Sequence, residues 1–151
     1  VRSYSDETRA RLIRGIERIA RGEAIAAGVP DDRMPVVTVK DEFTPSTYNP
    51  PAFAQDMAGV LKAHFPEGMV GETKPSMGGE DFSRYYRADK SINSFIFWVG
   101  GVPADQMAKA AAGQASLPSL HSPFWAPQAE KVVATASEAM TTLALHLLKR
   151  D

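Results

Sequence analysis

The chain has 151 residues, 44% of them hydrophobic and 23% charged, enough apolar material to bury a core in one domain or in one domain with an appendage. Its 17 basic and 18 acidic residues leave a net charge of -1, so no global field would recruit nucleic acid or an anionic membrane. Cysteine is absent, which excludes disulfides, thiolate metal sites and a thiol nucleophile and fits a reducing, cytoplasmic setting; no apolar run approaches the ~20 residues of a membrane span.

Val1-Arg2-Ser3-Tyr4 alternates apolar and polar residues as a half-buried strand does, and a chain that begins inside a strand is expected to be a piece of something longer. Ser5 follows as an N-cap, with Asp6 and Glu7 placing negative charge in a first helical turn. Leu12, Ile13, Ile16, Ile19, Ala20 and Ala24 then recur at helical spacing, predicting an amphipathic helix to about Ala27 with Gly28 as its stop. Gly15 and Gly22 each weaken that helix by ~1 kcal/mol relative to Ala, as expected where a neighbour packs closely. Its arginines, mixed with acids and lacking interleaved aromatics, read as a solvated face.

Pro35-Val36-Val37-Thr38-Val39-Lys40 is a β-branched run predicted as a strand that continues to Phe43, completing a β-α-β unit whose open edges need further strands or a partner. Thr44 to Pro51, with three prolines in eight residues, is the linker candidate. Pro51 opens a second helix through Phe53, Met57, Val60 and Leu61 to near His64. Residues 68–73 suggest a short strand, and Asp81 to Tyr86 a short helix or turn. Ser94-Phe95-Ile96-Phe97-Trp98-Val99 is the strongest strand candidate, apolar enough for burial on both faces. Gly100-Gly101 ends it, where the backbone turns sharply or approaches a ligand. An Ala-rich helical insertion follows over 104–112. A long terminal helix over 126–149 carries Val132, Val133, Ala136, Met140, Leu143, Ala144, Leu147 and Leu148 on one side.

Two stretches could carry chemistry. In Ser119-Leu120-His121-Ser122-Pro123-Phe124-Trp125 an imidazole sits in a stiff turn, as a ligand or proton-transfer group requires; a packed turn histidine is the plain alternative. His64 and His146, at helix positions, read as structural or exposed. In Met77-Gly78-Gly79-Glu80-Asp81-Phe82-Ser83 two glycines allow positive φ and close approach of backbone to a ligand. Glu80 and Asp81 suit acid/base work, metal binding or a hydrogen bond to a substrate amine. A turn with Asp81 capping the next helix explains the same residues. Neither a nucleophile elbow nor a His-Glu-x-x-His helix is present, and His121 has no second histidine near it in sequence.

Met77-Gly78-Gly79-Glu80-Asp81-Phe82-Ser83 followed by Leu120-His121-Ser122-Pro123 resembles the C-terminal part of M20-type metallopeptidases, in particular the aminoacylase, hippurate hydrolase and indoleacetyl-amino-acid hydrolase-like amidohydrolases. The resemblance covers essentially the whole chain. It implies an α/β fold: residues 1–45 as the β-α-β half of a small lid and dimerisation domain, residues 46–151 as the C-terminal α/β segment of the metal-binding catalytic domain. It implies His121 as a metal ligand, Gly78, Gly79 and Glu80 beside the substrate with Asp81 supporting the loop, and Asn49 as a weaker substrate contact. Two divalent ions (zinc, manganese or cobalt) would activate a water that attacks an N-acyl amino acid or small peptide, while a glutamate takes its proton.

The family's other metal ligands, its Glu-Glu pair and its lid histidine all precede the part that this chain matches, so no catalytic residue is assigned within it. The expectation is therefore an amidohydrolase piece inactive alone, partnered by the missing N-terminal part of the catalytic domain and forming homo-oligomers through the lid, with neither nucleic acid nor membrane as partner. The alternative is a truncated, non-enzymatic dimerisation or ligand-binding module.

Overall fold

The computed structural model describes residues 1–149. Among them are five α-helices and one 3-10 helix, and no strand. The helices are α1 (Asp6–Ala26), α2 (Pro51–His64), α3 (Ser83–Ala88), α4 (Ala104–Ala111) and α5 (Ala129–Leu147), with the 3-10 turn at Asp31–Arg33. The chain forms two compact units, each built from two segments: Val1–Phe53 with Glu72–Phe95, and Ala54–Gly71 with the segment from Ile96 onward.

The helix ends follow local chemistry. At α1 the Ser5 side chain accepts a hydrogen bond from the Thr8 N–H at 3.1 Å, and Asp6 and Glu7 occupy the first turn. Its C-terminus closes as a Schellman motif: Gly28 takes φ 70°, its N–H donates to Ile25 O at 3.0 Å, and Val29 N–H donates to Ala24 O at 2.9 Å. α4 ends the same way, with Gly113 at φ 70° and Gln114 N–H bonded to Lys109 O at 2.9 Å. Gly68, at φ 82°, sits third in a Pro66–Met69 turn where a non-glycine residue would be strained.

The α/β expectation is overturned. Residues 1–4, 35–43, 68–73 and 94–99 form no strand, and with no ladder among the described residues there is neither a β-α-β unit nor a sheet. A strand needs a hydrogen-bonded neighbour, and β propensity reports fit to a pleated, half-buried surface rather than an intrinsic backbone preference. That surface is missing at 35–40, where Val36 is 88% exposed. Residues 1–4 are held by other means. Arg2 Nη1 donates to Met77 O at 2.8 Å, Tyr4 Oη donates to Pro75 O at 3.2 Å, and Ser46 Oγ donates to Tyr4 O at 3.0 Å. The stretch 94–99 is covered on alternate residues: Phe95, Phe97 and Val99 are half-buried, whereas Ile96 and Trp98 face solvent.

The first unit buries no large apolar side chain among the described residues. It is tied by polar and cation–π contacts centred on Phe43, whose ring lies 3.8 Å under the Arg9 guanidinium and whose carbonyl accepts from Arg84 Nη2 at 2.7 Å. Arg87 pairs with Asp6 at the start of α1. The second unit holds the apolar core, Met57 and Leu61 of α2 with Ala139 and Leu143 of α5. These two helices run antiparallel, because Asp56 meets His146 and His64 meets Glu138. On α5 the face expected to be buried is largely outside: Val133, Met140, Leu147 and Leu148 are exposed, and Ala139, not among the expected residues, is 3% exposed.

The described chain exposes 12031 Å². Two separate units of half its size would expose roughly 9,000 Å² if each were compactly covered. α1 and α4 have no buried residue, and residues 71–81 are exposed throughout.

Gly101 shows what glycine does after the 94–99 stretch. It is buried, and a Cβ placed there would lie 3.0 Å from Pro127 Cβ and 3.4 Å from both Trp125 Cζ2 and Val132 Cγ2. The close approach is to the chain's own aromatic turn, and Gly101 O accepts from Gln128 N–H at 3.0 Å. Gly101→Ala is therefore expected to lower stability by about 1–2 kcal/mol through overpacking. Gly100→Ala, with open space around its Cβ, should be neutral or slightly stabilising. Equal midpoints for the two variants in denaturant melts would contradict this packing.

Candidate functional site

His121 is placed by two consecutive turns between α4 and α5. Ser122 N–H donates to Ser119 O at 2.9 Å, which puts Leu120 and His121 at the two central positions of the first turn. Trp125 N–H donates to Ser122 O at 3.0 Å, with Pro123 and Phe124 central in the second. Pro123 pre-sets φ there, and Ser122 Oγ accepts from Phe124 N–H at 3.2 Å, so short-range bonds fix the path. No non-glycine residue among those described has positive φ, which rules out a type II geometry at His121. Trp125 anchors the second turn over Gly101, and beside it lies a cavity of about 50 Å³ lined by Val102, Pro103, Gln106, Pro118, Phe124, Trp125 and Ala126. His121 does not line that cavity; it is exposed.

The three histidines divide by their partners. His64 Nε2 lies 2.8 Å from Glu138 Oε1 and His146 Nε2 lies 3.4 Å from Asp56 Oδ2. Both pairs bridge α2 and α5, so the two helix histidines are structural, as their helix positions suggest. A sequence signal for the bridges exists: on each helix a carboxylate stands eight residues before a histidine, two turns along one face, and antiparallel packing sets each carboxylate opposite the other helix's histidine. The His121 ring has no hydrogen-bond or charge partner among the described residues.

The glycine loop differs in detail from expectation. Gly78 and Gly79 do not adopt positive φ. Gly78 N–H donates to Ser76 Oγ at 3.3 Å, and a Cβ at Gly79 would meet Thr44 Cγ2 at 3.3 Å, so Gly79 allows close approach of chain to chain. Glu80 O accepts from Ser83 N–H at 3.2 Å and from Thr47 Oγ1 at 3.4 Å, which turns the loop into α3. No side chain caps α3, so Asp81 is not its N-cap. Ser83 is 2% exposed, and its hydroxyl has no partner among the described residues.

Gly78, Gly79 and Glu80 are exposed, and Asn49 is half-buried just before α2. All four belong to the first unit, where Thr47 reaches Glu80 and the Tyr48 and Tyr86 rings stand 5.6 Å apart. His121 belongs to the second unit. Neither known families nor characterised proteins nor solved structures match this chain.

Among the described residues no group of three or more His, Asp or Glu side chains is arranged to hold a metal ion. The donor set offered is one imidazole. One perturbed acid lies in the first unit: Asp89, whose carboxyl is held below the ordinary aspartate value by the Ser91 N–H and then by the Ser91 hydroxyl. Both bonds are 2.8 Å, and they shape the turn after α3 rather than a reactive group. No helix among the described residues is long and apolar enough to cross a membrane.

Proposed function

We propose that this chain is part of a metal-dependent amidohydrolase that cleaves the amide bond of N-acyl amino acids or small peptides. The observation that carries the reading is His121, within the Leu120-His121-Ser122-Pro123 motif. It is exposed on a turn held by short-range hydrogen bonds, and its ring is unengaged while the other two imidazoles are committed to carboxylates. A ligand must be reachable, and His121 meets that condition on a backbone whose path the turn fixes.

Held by a fuller donor set, a divalent ion such as zinc, manganese or cobalt supplies Lewis acidity and an activated water. This chain's contribution is one ring nitrogen from His121. The remaining ligands, and the glutamate that takes the proton from water, belong to polypeptide outside these residues. On the substrate side, Gly79 and Glu80 present backbone N–H groups without partners among the described residues, and such donors suit a substrate carboxylate or carbonyl. Asn49 adds an amide in the same unit.

The test is reconstitution. Joined to polypeptide carrying the other ligands, the chain should hydrolyse N-benzoyl or N-acetyl amino acids with zinc, manganese or cobalt, lose activity to chelator, and recover on adding metal back. The chain alone should show no turnover. Metal-independent hydrolysis by the reconstituted protein, or full turnover by the chain alone, would overturn the proposal.

A further inference from the structure

The solvent side of α1 is ordered in three parallel rows. Thr8, Gly15 and Gly22 stand seven residues apart and form a seam of small residues. Leu12 and Ile19, also seven apart, run along one flank. Arg11, Arg14, Arg18 and Arg21 run along the other. Leu12 is 44% exposed and Ile19 58%. None of the four arginines forms an ion pair among the described residues. At the seam, a Cβ added to Gly15 or Gly22 would meet nothing within 4 Å. The gap at Gly15 opens a groove of about 540 Å³ lined by Thr8, Arg11, Leu12, Arg14, Gly15 and Arg18. Two mid-helix glycines weaken α1, and no neighbour in the structure uses the room they leave.

We infer that this face is a docking groove for an acidic amphipathic helix of another protein. A helix can lie close over Thr8, Gly15 and Gly22 because small residues let two backbones approach. In that position one of its flanks covers Leu12 and Ile19, and the other sets carboxylates against Arg11, Arg14, Arg18 and Arg21. The charges select the occupant. A second copy of this chain fits poorly: antiparallel pairing brings the arginine rows side by side, and parallel pairing sets arginines against Leu12 and Ile19. An anionic bilayer fits poorly too, because an interfacial helix carries its cations on both sides of a central apolar face. Here the centre is a glycine notch, with Leu12 and Ile19 on one flank and Ile25 set among the arginines of the other.

The probe is a fluorescently labelled peptide as long as α1, with alanine along its seam, leucine on one flank and glutamate on the other, read by fluorescence anisotropy. Its control carries lysine for glutamate. The glutamate peptide should bind saturably and the lysine peptide should not. Arg14→Glu with Arg18→Glu, and separately Gly15→Leu, should each weaken binding at least about tenfold, the first by charge and the second by filling the notch. If circular dichroism shows loss of helix in the charge-reversed variant, Arg14→Gln with Arg18→Gln gives the charge test with milder change. Three outcomes overturn the inference: no saturable binding of the glutamate peptide, equal binding of both peptides, or unchanged affinity in Gly15→Leu. Arginine-dependent binding to phosphatidylserine vesicles without peptide binding, or an arginine-dependent dimer in sedimentation, would likewise replace it with the membrane or the second copy.

Discussion

Met57→Ala is expected to destabilise the second unit by about 3 kcal/mol, within the range for emptying a fully buried methionine site. Met57 is 1% exposed, and among the described residues it shares the core between α2 and α5 with Leu61, Ala139 and Leu143. Domain stabilities are commonly about 5–15 kcal/mol, so a core this small has little to spare and the variant should melt early. The flanking bridges cannot compensate. Side chains of the pairs His64–Glu138 and His146–Asp56 are more than a third exposed, and exposed pairs contribute no more than about 1 kcal/mol. Val36→Ala is the matched control, with an expected effect below about 0.5 kcal/mol at a residue 88% exposed. Urea denaturation followed by circular dichroism measures both. A Met57→Ala effect no larger than that of Val36→Ala would mean that α2 and α5 do not enclose a core.

His121→Ala should produce the opposite pattern, with large loss of function and unchanged stability. The side chain is exposed and makes no bond that the fold relies on, so thermal unfolding should move by less than about 0.5 kcal/mol. In the reconstituted amidohydrolase, losing a metal ligand should cut hydrolysis of an N-acyl amino acid at least about 100-fold and reduce the metal retained after dialysis. His64→Ala and His146→Ala are the internal comparison. Each should cost a little stability and leave metal content unchanged, because both rings already face carboxylates across α2 and α5. If His121→Ala kept its metal and its rate, His121 would be a turn residue and the proposed function would lose the observation that carries it.

What could be read from the chain was whatever depends on neighbours in sequence. Ser5, Asp6 and Glu7 start α1, Gly28 ends it in the left-handed conformation, and Pro51 opens α2, each through bonds or φ preferences spanning four or five residues. The His121 turn belongs to the same class, since Ser119, Ser122 and Pro123 fix it by short-range hydrogen bonds and one constrained φ. The candidate-site motifs were visible instead through the resemblance they carry, and His64 and His146 read as structural or exposed from their helix positions.

Tertiary structure decided everything that needs a distant partner. Pro35 to Lys40 has the composition of a strand, yet a strand exists only where another segment completes its ladder, and none does so among the described residues. Periodicity showed that α5 has an apolar stripe but not which edge of it meets another helix. The contacts Asp56–His146 and His64–Glu138 mark that register, in which Ala139 and Leu143 are buried against α2 while Met140 and Leu147 stay in solvent. Gly78 and Gly79 suggested positive φ, but Gly79 is needed for the approach of Thr44 instead. A residue's type limits the conformations open to it, and contacts between segments far apart in sequence select one of them.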